Sequence, residues 1–280
     1  MLGKGLPDEW LETEPQLSMD YVKPDELIAD SLQAAEKKAC LPVRDLFVRG
    51  FLAGSFLGFA TSLTIIIRAQ GLPPFVGAAV FPVGFVLLVL LGLELATGNF
   101  ALLPIGIADG RVKWSQLWRN WCWVYLANLI GSVFYGILFF LSITSFRTED
   151  GGTSAELVRQ IAEKKTLSYE AIGAYGWGTA VVKAILANWM VTVGTMMAFV
   201  SRSTIGKIAA MWLPITIFFA HGYEHSIVNM FLIPTGILFG SPISISEWWW
   251  WNQIPVTLGN IFGGAVFTGI ALFFTYKPTS

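Results

Sequence analysis

Residues 218–231 read FFAHGYEHSIVNMF and hold both histidines of the chain, His221 and His225, with Glu224 between them. Read literally, H-x-x-E-H is a zinc-enzyme pattern. A catalytic zinc needs about three protein ligands and an open position, and two imidazoles one helical turn apart supply two. The third could come only from Glu224, Glu94 or a distant cysteine. The setting argues otherwise: no Asp, Glu, Lys or Arg occurs from 225 to 246, so the motif is embedded in an apolar run.

The rest of the chain is built the same way. The stretches 50–67, 69–93, 120–146 and 248–276 also lack Asp, Glu, Lys and Arg, and about 20 apolar residues span a bilayer. Of the 280 residues, 54% are hydrophobic and 13% charged, the latter about half the share of an ordinary soluble domain. Formal net charge is −1 with no basic cluster, which leaves no electrostatic footprint for nucleic acid. Cys40 and Cys122 are too few for a disulfide framework and are not spaced as a metal knuckle, so they read as inert packing residues. No cofactor is expected. The polar, acidic opening differs from a signal peptide, and the first spanning helix is expected to direct insertion.

Residues 1–41 form a polar preface. Pro24 and Asp25 suit a helix start, and Ile28, Leu32, Ala35 and Ala39 recur at helical spacing. The expectation is an amphipathic helix that lies along the membrane, packs beneath the bundle or forms a plain cytosolic cap, without chemistry of its own. Six spanning units follow, near 43–67, 75–108, 115–146, 169–200, 205–239 and 253–276, within an all-α membrane domain of 42–276 and a tail at 277–280. An even number puts both termini on one side. The loops after the second and fourth units carry Arg111, Lys113, Arg119, Arg202 and Lys207 against one acid, Asp109, whereas 147–165 balances its charges. The positive-inside rule then makes the termini cytoplasmic in a multi-pass plasma or inner membrane protein, with the run Trp248–Trp251 as an aromatic belt on the outer side.

An offset of 132 residues aligns Trp118 with Trp250, Asn120 with Asn252, Val124 with Val256, Leu126 with Leu258, Asn128 with Asn260 and Gly131 with Gly263. An offset of 130 pairs ELATGN, Glu94 to Asn99, with EHSIVN, Glu224 to Asn229. Three spans per half is an odd number, so the copies enter the membrane in opposite senses, a 3+3 inverted repeat of the kind many transporters use. Each second unit reads as a broken helix. Glu94, Thr97, Gly98 and Asn99 interrupt one apolar run, and Gly222, Glu224, His225 and Asn229 the other. A lipid-facing break would leave backbone groups unsatisfied at several kcal/mol each, so the breaks should meet inside protein or along a water-filled path. The Asn128/Gly131 and Asn260/Gly263 pairs read as close helix packing.

The repeat also bears on zinc. Glu224 matches Glu94, which has no histidine near it, so both acids, with Asn99 and Asn229, read as support for the helix breaks. Two buried, hydrogen-bonded histidines would suit His221. His225 falls inside the break, and an intramembrane ionisable group is by default a candidate for a path.

GYEHSIVNMFLIPTGI at 222–237 closely resembles the signature of the formate/nitrite transporter family. GLELATGN at 92–99, the residues at 120–132, KAILANWMV at 183–191 and NQIPVTLGNIFGG at 252–264 fall in that family's order, so the resemblance covers roughly residues 25–276. It implies an aquaporin-like protomer within a homopentamer, one pore per protomer, and passage of a small monovalent anion such as formate, nitrite, bicarbonate, lactate or hydrosulfide, with no enzymatic or catalytic role. Carried over by position, the resemblance makes His225 the central pore histidine and Thr97 the threonine facing it. Asn188 resembles the asparagine that positions that histidine or the ion. Phe81, Phe85 and Phe218 fall at the hydrophobic constrictions, where a leucine is familiar in place of Phe85. Lys164 resembles the lysine of the outer vestibule, although extra residues around GAYGWGT intervene and Lys165 could serve instead. His221 departs from the small residue usual at its position.

These residue types suit the task. Phenylalanine rings exclude water and hydrated cations yet yield to a small anion or its neutral acid. Charge at the membrane centre is costly, and either backbone amides at helix ends or a proton can lower that cost. The expectation is that the vestibule lysine attracts the anion, which passes Phe218 and meets Thr97 and His225, where transfer of H+ would couple transport to pH. The rival is an intramembrane zinc metalloenzyme using His221, Glu224 and His225.

Overall fold

The structure, a computed structural model, describes residues 20–277. In chain order the helices are α1 (Pro24–Cys40), α2 (Val43–Ala69), α3 (Pro74–Leu90), α4 (Ala96–Ala108) and α5 (Trp114–Ile143), then α6 (Gly152–Glu170), α7 (Gly173–Met197), α8 (Thr204–Ala220), α9 (Ser226–Leu238) and α10 (Ile245–Tyr276). Among the described residues there is no strand, and one isolated bridge pairs Tyr21 with Ser201. The fold is all-helical. Four helices, α2, α5, α7 and α10, are long and apolar enough to cross a membrane, at 27, 30, 25 and 32 residues, each above the about 20 that a bilayer requires.

The units expected near 75–108 and 205–239 are each two helices, α3 with α4 and α8 with α9, separated at 91–95 and 221–225. The two breaks are built alike. Gly92 and Gly222 take positive φ of 64° and 65°, a conformation glycine adopts without a Cβ penalty. Leu93 N–H donates to Leu88 O and Tyr223 N–H to Phe218 O, the wide turn that closes a helix over a left-handed residue. The interruptions are shorter than the polar runs suggested. Thr97, Gly98, Asn99 and Asn229 already lie in the helices that follow, where first-turn groups still need side-chain partners.

Small residues set the helix spacing. A Cβ on Gly131 would lie 2.0 Å from Phe51 O, and one on Gly54 2.2 Å from Asn128 O, so α2 and α5 touch backbone to backbone. Gly259 and Gly263 play the same part between α10 and α7, facing Val181 O at 2.5 Å and Ile185 O at 2.3 Å.

Several expectations change. The stretch 147–165, read as a loop, contains most of α6, which packs on α9 where Gly236 meets Ala162. The fourth unit begins at Gly173 rather than 169, because Tyr169 and Glu170 still belong to α6. Of the placements left open for helix α1, it takes packing on the bundle, against α4, with Ile28, Leu32, Ala35 and Ala39 all buried. The tryptophan run is split by the helix: Trp248 is buried beside Ala162 and Ile233, whereas Trp250 is exposed. Cys40 and Cys122 are exposed, so they do not fill the core. The segments 1–19 and 278–280 of the expected preface and tail lie outside the described residues.

Candidate functional site

Each break is held by a set of side chains that reads the same in both halves. Glu94 is 2% exposed and accepts from Lys38 Nζ at 2.7 Å through Oε1 and from Asn99 Nδ2 at 2.8 Å through Oε2. Asn99 Nδ2 also donates to Asn120 Oδ1, and Asn120 Nδ2 to the Lys38 carbonyl. In the second half Glu224, also 2% exposed, accepts from Lys165 Nζ at 2.9 Å and Asn229 Nδ2 at 2.8 Å. Asn229 Nδ2 donates to Asn252 Oδ1, and Asn252 Nδ2 to the Lys165 carbonyl. A buried carboxylate without a partner is strongly unfavourable, and here each has an ammonium and an amide.

The backbone of the breaks is satisfied by Asn128 and Asn260. Asn128 Oδ1 accepts the amide of Ala96, and its Nδ2 donates to the carbonyls of Glu94 and Gly50. Asn260 Oδ1 accepts the amide of Ser226, and its Nδ2 donates to the carbonyls of Glu224 and Ala184. These two residues, expected only to mark close packing, tie the end of each break, where the second helix begins, to two long helices, their own and the one that carries Gly50 or Ala184.

Between the breaks, His225 Nε2 lies 3.0 Å from Thr97 Oγ1. His225 caps α9, and its Nδ1 accepts the amide of Val228 at 3.2 Å. With Nδ1 accepting, the proton of the neutral ring sits on Nε2, which therefore donates to Thr97. The ring is 2% exposed and its centroid is 5.6 Å from that of Phe218. Asn188 does not hydrogen-bond to His225. Its Nδ2 donates to the carbonyls of Thr97 at 3.1 Å and Asn260 at 2.6 Å, while its Oδ1 is buried with no hydrogen-bond partner.

Cavities open on both sides of this centre. One, of about 270 Å³, is bordered by Lys38, Phe85, Gly98, Asn99 and Lys207. The other, of about 650 Å³, is bordered by Lys164, Lys165, Phe218, His221 and Glu224 among others. Phe81 borders neither. Its buried ring meets Phe218 edge-on at 5.6 Å and stacks on Phe219 at 3.9 Å. Thus Phe85 and Phe218 belong to opposite approaches, with Phe81 packed against the second. Of the two lysines, Lys165 is tied to Glu224 and Lys164 is exposed. His221 is exposed rather than buried: its Nδ1 lies 2.8 Å from the Ile217 carbonyl, and its ring stacks on Tyr223.

The three groups of the zinc motif point to different partners. Glu224 is taken by Lys165, Tyr169 and Asn229, His225 by Val228 and Thr97, and His221 borders the cavity. Among the described residues no cluster of three His, Cys, Asp or Glu could hold a metal ion. The donor set does not converge.

Lys38 was missed from the sequence, as was Tyr169, whose Oη donates to Glu224 Oε1 at 2.8 Å. A signal for Lys38 is nevertheless present: QAAEKK at 33–38 and QIAEKK at 160–165 agree at five of six positions, which sets Lys38 against Lys165 at an offset of 127 rather than 130 or 132. Asn120 and Asn252 were already aligned by the repeat, but only the contacts give them a role.

Residues 25–274 match the family described as formate/nitrite transporter. The chain belongs to the formate/nitrite transporter family. This is a transport family without enzymatic activity, and its membership makes the chain an integral membrane protein. Relatives in the family include a protein named "Probable formate transporter" from Methanothermobacter thermautotrophicus, 38% identical over 258 residues that cover 86% of this chain and 92% of the relative. The formate channel FocA of Escherichia coli (strain K12) is 33% identical over 249 residues, covering 81% and 82%. Among solved structures, one titled "Pentameric formate channel with formate bound" matches with a TM-score of 0.67 at 27% identity, covering 87% of this chain and 98% of that one.

Proposed function

We propose that the chain passes a small monovalent anion across the membrane, formate first and then nitrite, bicarbonate, lactate or hydrosulfide, through a path within each protomer. One observation carries this reading: the pair His225 and Thr97, 3.0 Å apart, stands between two helix breaks with a lysine-bordered cavity on either side. The anion enters from the Lys164 and Lys165 side, passes Phe218 and Phe81, exchanges Thr97 for itself as the acceptor of the His225 Nε2–H, and leaves past Phe85. Asn188, on α7, holds the carbonyls of Thr97 and Asn260 and so fixes α4 against α10. Glu94, Asn99, Glu224 and Asn229 hold the breaks open.

The matched hydrogen bonds of Glu94 and Glu224, and of Asn128 and Asn260, support six spans arranged as an inverted repeat in an aquaporin-like protomer. A homopentamer is supported by the solved relative titled pentameric. In this reading 42–276 is the channel domain, residues 1–41 are a cytoplasmic segment that lends Lys38 to it, and 277–280 form a cytoplasmic tail, in an inner or plasma membrane.

Transport is passive or proton-coupled. Coupling by H+ requires His225 Nδ1 to release the Val228 amide before it can take a second proton, so a proton-carrying cycle includes a shift of the ring at the α9 cap. Counterflow in proteoliposomes, comparing formate, nitrite, bicarbonate and lactate under an imposed pH gradient, tests the whole proposal. Formate is expected to exchange above the rate of empty liposomes and to accumulate with the gradient if H+ is coupled. No exchange of any of the four anions would sink the reading.

A further inference from the structure

The larger cavity carries four bases on its wall, Arg68, Lys164, Lys165 and Lys183, and one carboxylate, Glu224. The charges do not cancel. Lys165 stands 2.9 Å from Glu224 and its side chain is 14% exposed, so it is committed to that pair. Among the described residues no carboxylate lies within ion-pair distance of Arg68, Lys164 or Lys183.

Lys183 differs from the other two in being held. Its Nζ donates to Tyr169 Oη at 3.4 Å and lies 5.5 Å from the centroid of that ring. Tyr169 Oη in turn donates to Glu224 Oε1, next to His225 in the chain. Helix α7 reaches this position because Gly176 lets it sit on the end of α6, where a Cβ would lie 2.0 Å from Tyr169 O. Among the described residues the Lys38 side has no such arm: the Glu94 side chain accepts from Lys38 and Asn99 alone.

An ammonium offers three donors, of which Tyr169 takes one. A fixed, unpaired cation in a concave site with apolar walls concentrates anions and speeds their entry. We infer that Lys183 is the entry residue for anions on this side: its ammonium, fixed over Tyr169, receives a small carboxylate or other monovalent oxyanion before that anion reaches Phe218 and His225. The inference rests on the transport reading of the same path. It moves the recruiting charge from Lys164, which is exposed and not held, and from Lys165, which Glu224 occupies, to a residue on α7.

Uptake of radiolabelled formate from the outside of cells lacking other formate carriers provides the test. Lys183→Gln is expected to raise KM about threefold to tenfold at low salt with little change in maximal rate, Lys183→Glu to raise it further, and Lys183→Arg to restore it. The difference between wild type and Lys183→Gln should shrink as ionic strength rises from about 20 mM to about 0.5 M, because salt screens exposed charges. The wild type alone gives a second measure, since its KM should rise over the same salt range even if the Gln variant fails to assemble. Saturable wild-type uptake with a KM indifferent to salt, or a Gln variant that loses maximal rate at unchanged KM, would overturn this role for Lys183 and leave the transport reading standing. Absence of wild-type uptake would instead overturn the transport reading.

Discussion

Lys38 and Lys165 occupy equivalent places in the two halves: each ammonium meets a break glutamate, at 2.7 Å and 2.9 Å, and each backbone carbonyl accepts from an asparagine, Asn120 or Asn252. The two lysines come from helices, α1 and α6, that were expected to be an amphipathic helix without chemistry of its own and a loop. Replacing either by Met leaves a glutamate buried without its counter-ion, which costs about 3–5 kcal/mol. The expected outcome is a large drop in the detergent unfolding temperature for Lys38→Met, with most of it recovered in the double variant Lys38→Met, Glu94→Gln. A double variant no more stable than the single one would show that the pair is not the source.

Asn128 and Asn260 each make three hydrogen bonds that close a break. Ala at either position leaves buried backbone groups unpaired at about 1–3 kcal/mol each. Thermal unfolding should show comparable losses for the two variants, since the sets match atom for atom. A loss at only one position would mean that the two breaks are not held alike.

Gly54 and Gly131 allow the backbones of α2 and α5 to touch. A methyl group at either site meets a carbonyl oxygen on a rigid neighbour, so Gly131→Ala is expected to destabilise by about 1–3 kcal/mol or more. The same change at Gly92 meets no neighbouring atom, and its cost comes from the positive φ alone. Comparing unfolding temperatures of the two variants separates crowding from backbone strain.

In the proposed path Phe81 and Phe218, whose ring centroids are 5.6 Å apart, close the approach to His225 from the larger cavity. Phe218→Ala should widen it, raising passage of anions larger than formate and weakening exclusion of hydrated ions. Swelling of proteoliposomes in a series of carboxylates of increasing length would report this. An unchanged cut-off would remove Phe218 from the constriction.

His225→Gln keeps a donor toward Thr97 but cannot carry a proton. Formate uptake measured across pH in this variant should lose the component of pH dependence that follows the imposed gradient. An unchanged profile would exclude His225 as the proton carrier and leave it the role of hydrogen-bond donor.

Asp20 fixes the α7–α8 turn, accepting from the Ser201 hydroxyl and from the amides of Arg202 and Ser203. The Ser201 hydroxyl, then the Ser203 amide, hold its carboxyl below the usual range. A carboxyl depressed in the folded state stabilises fully above its unfolded value and loses that contribution as pH falls through the folded one. Unfolding temperature should therefore fall more steeply in acid for wild type than for Asp20→Asn, and parallel profiles would contradict the clamp.

The membrane class, the two interrupted helices and the relation between the halves were all legible in the order of residues. Charge-free runs of spanning length can be read without tertiary contacts, and E-x-x-x-x-N repeats at a fixed offset. His225 and Thr97 were legible as candidates by position in those runs and by resemblance, and the structure puts them 3.0 Å apart. Tyr169 was not legible, because it reaches its partner from a different helix, across 55 residues of chain; Lys38 was legible only as the counterpart of Lys165 in QAAEKK and QIAEKK, and its partner, 56 residues away, was not. Helix α6 escaped notice for the same reason: its residues are polar enough to resemble a loop, and burial against α9 is what completes it.

The order of residues alone thus determined which stretches are apolar enough for lipid and where polar atoms interrupt them, since both follow from local hydropathy and from what an apolar solvent tolerates. The tertiary structure alone decided which charge answers which. A buried carboxylate takes whichever ammonium the packing of distant helices brings within 3 Å, and sequence spacing does not encode that distance.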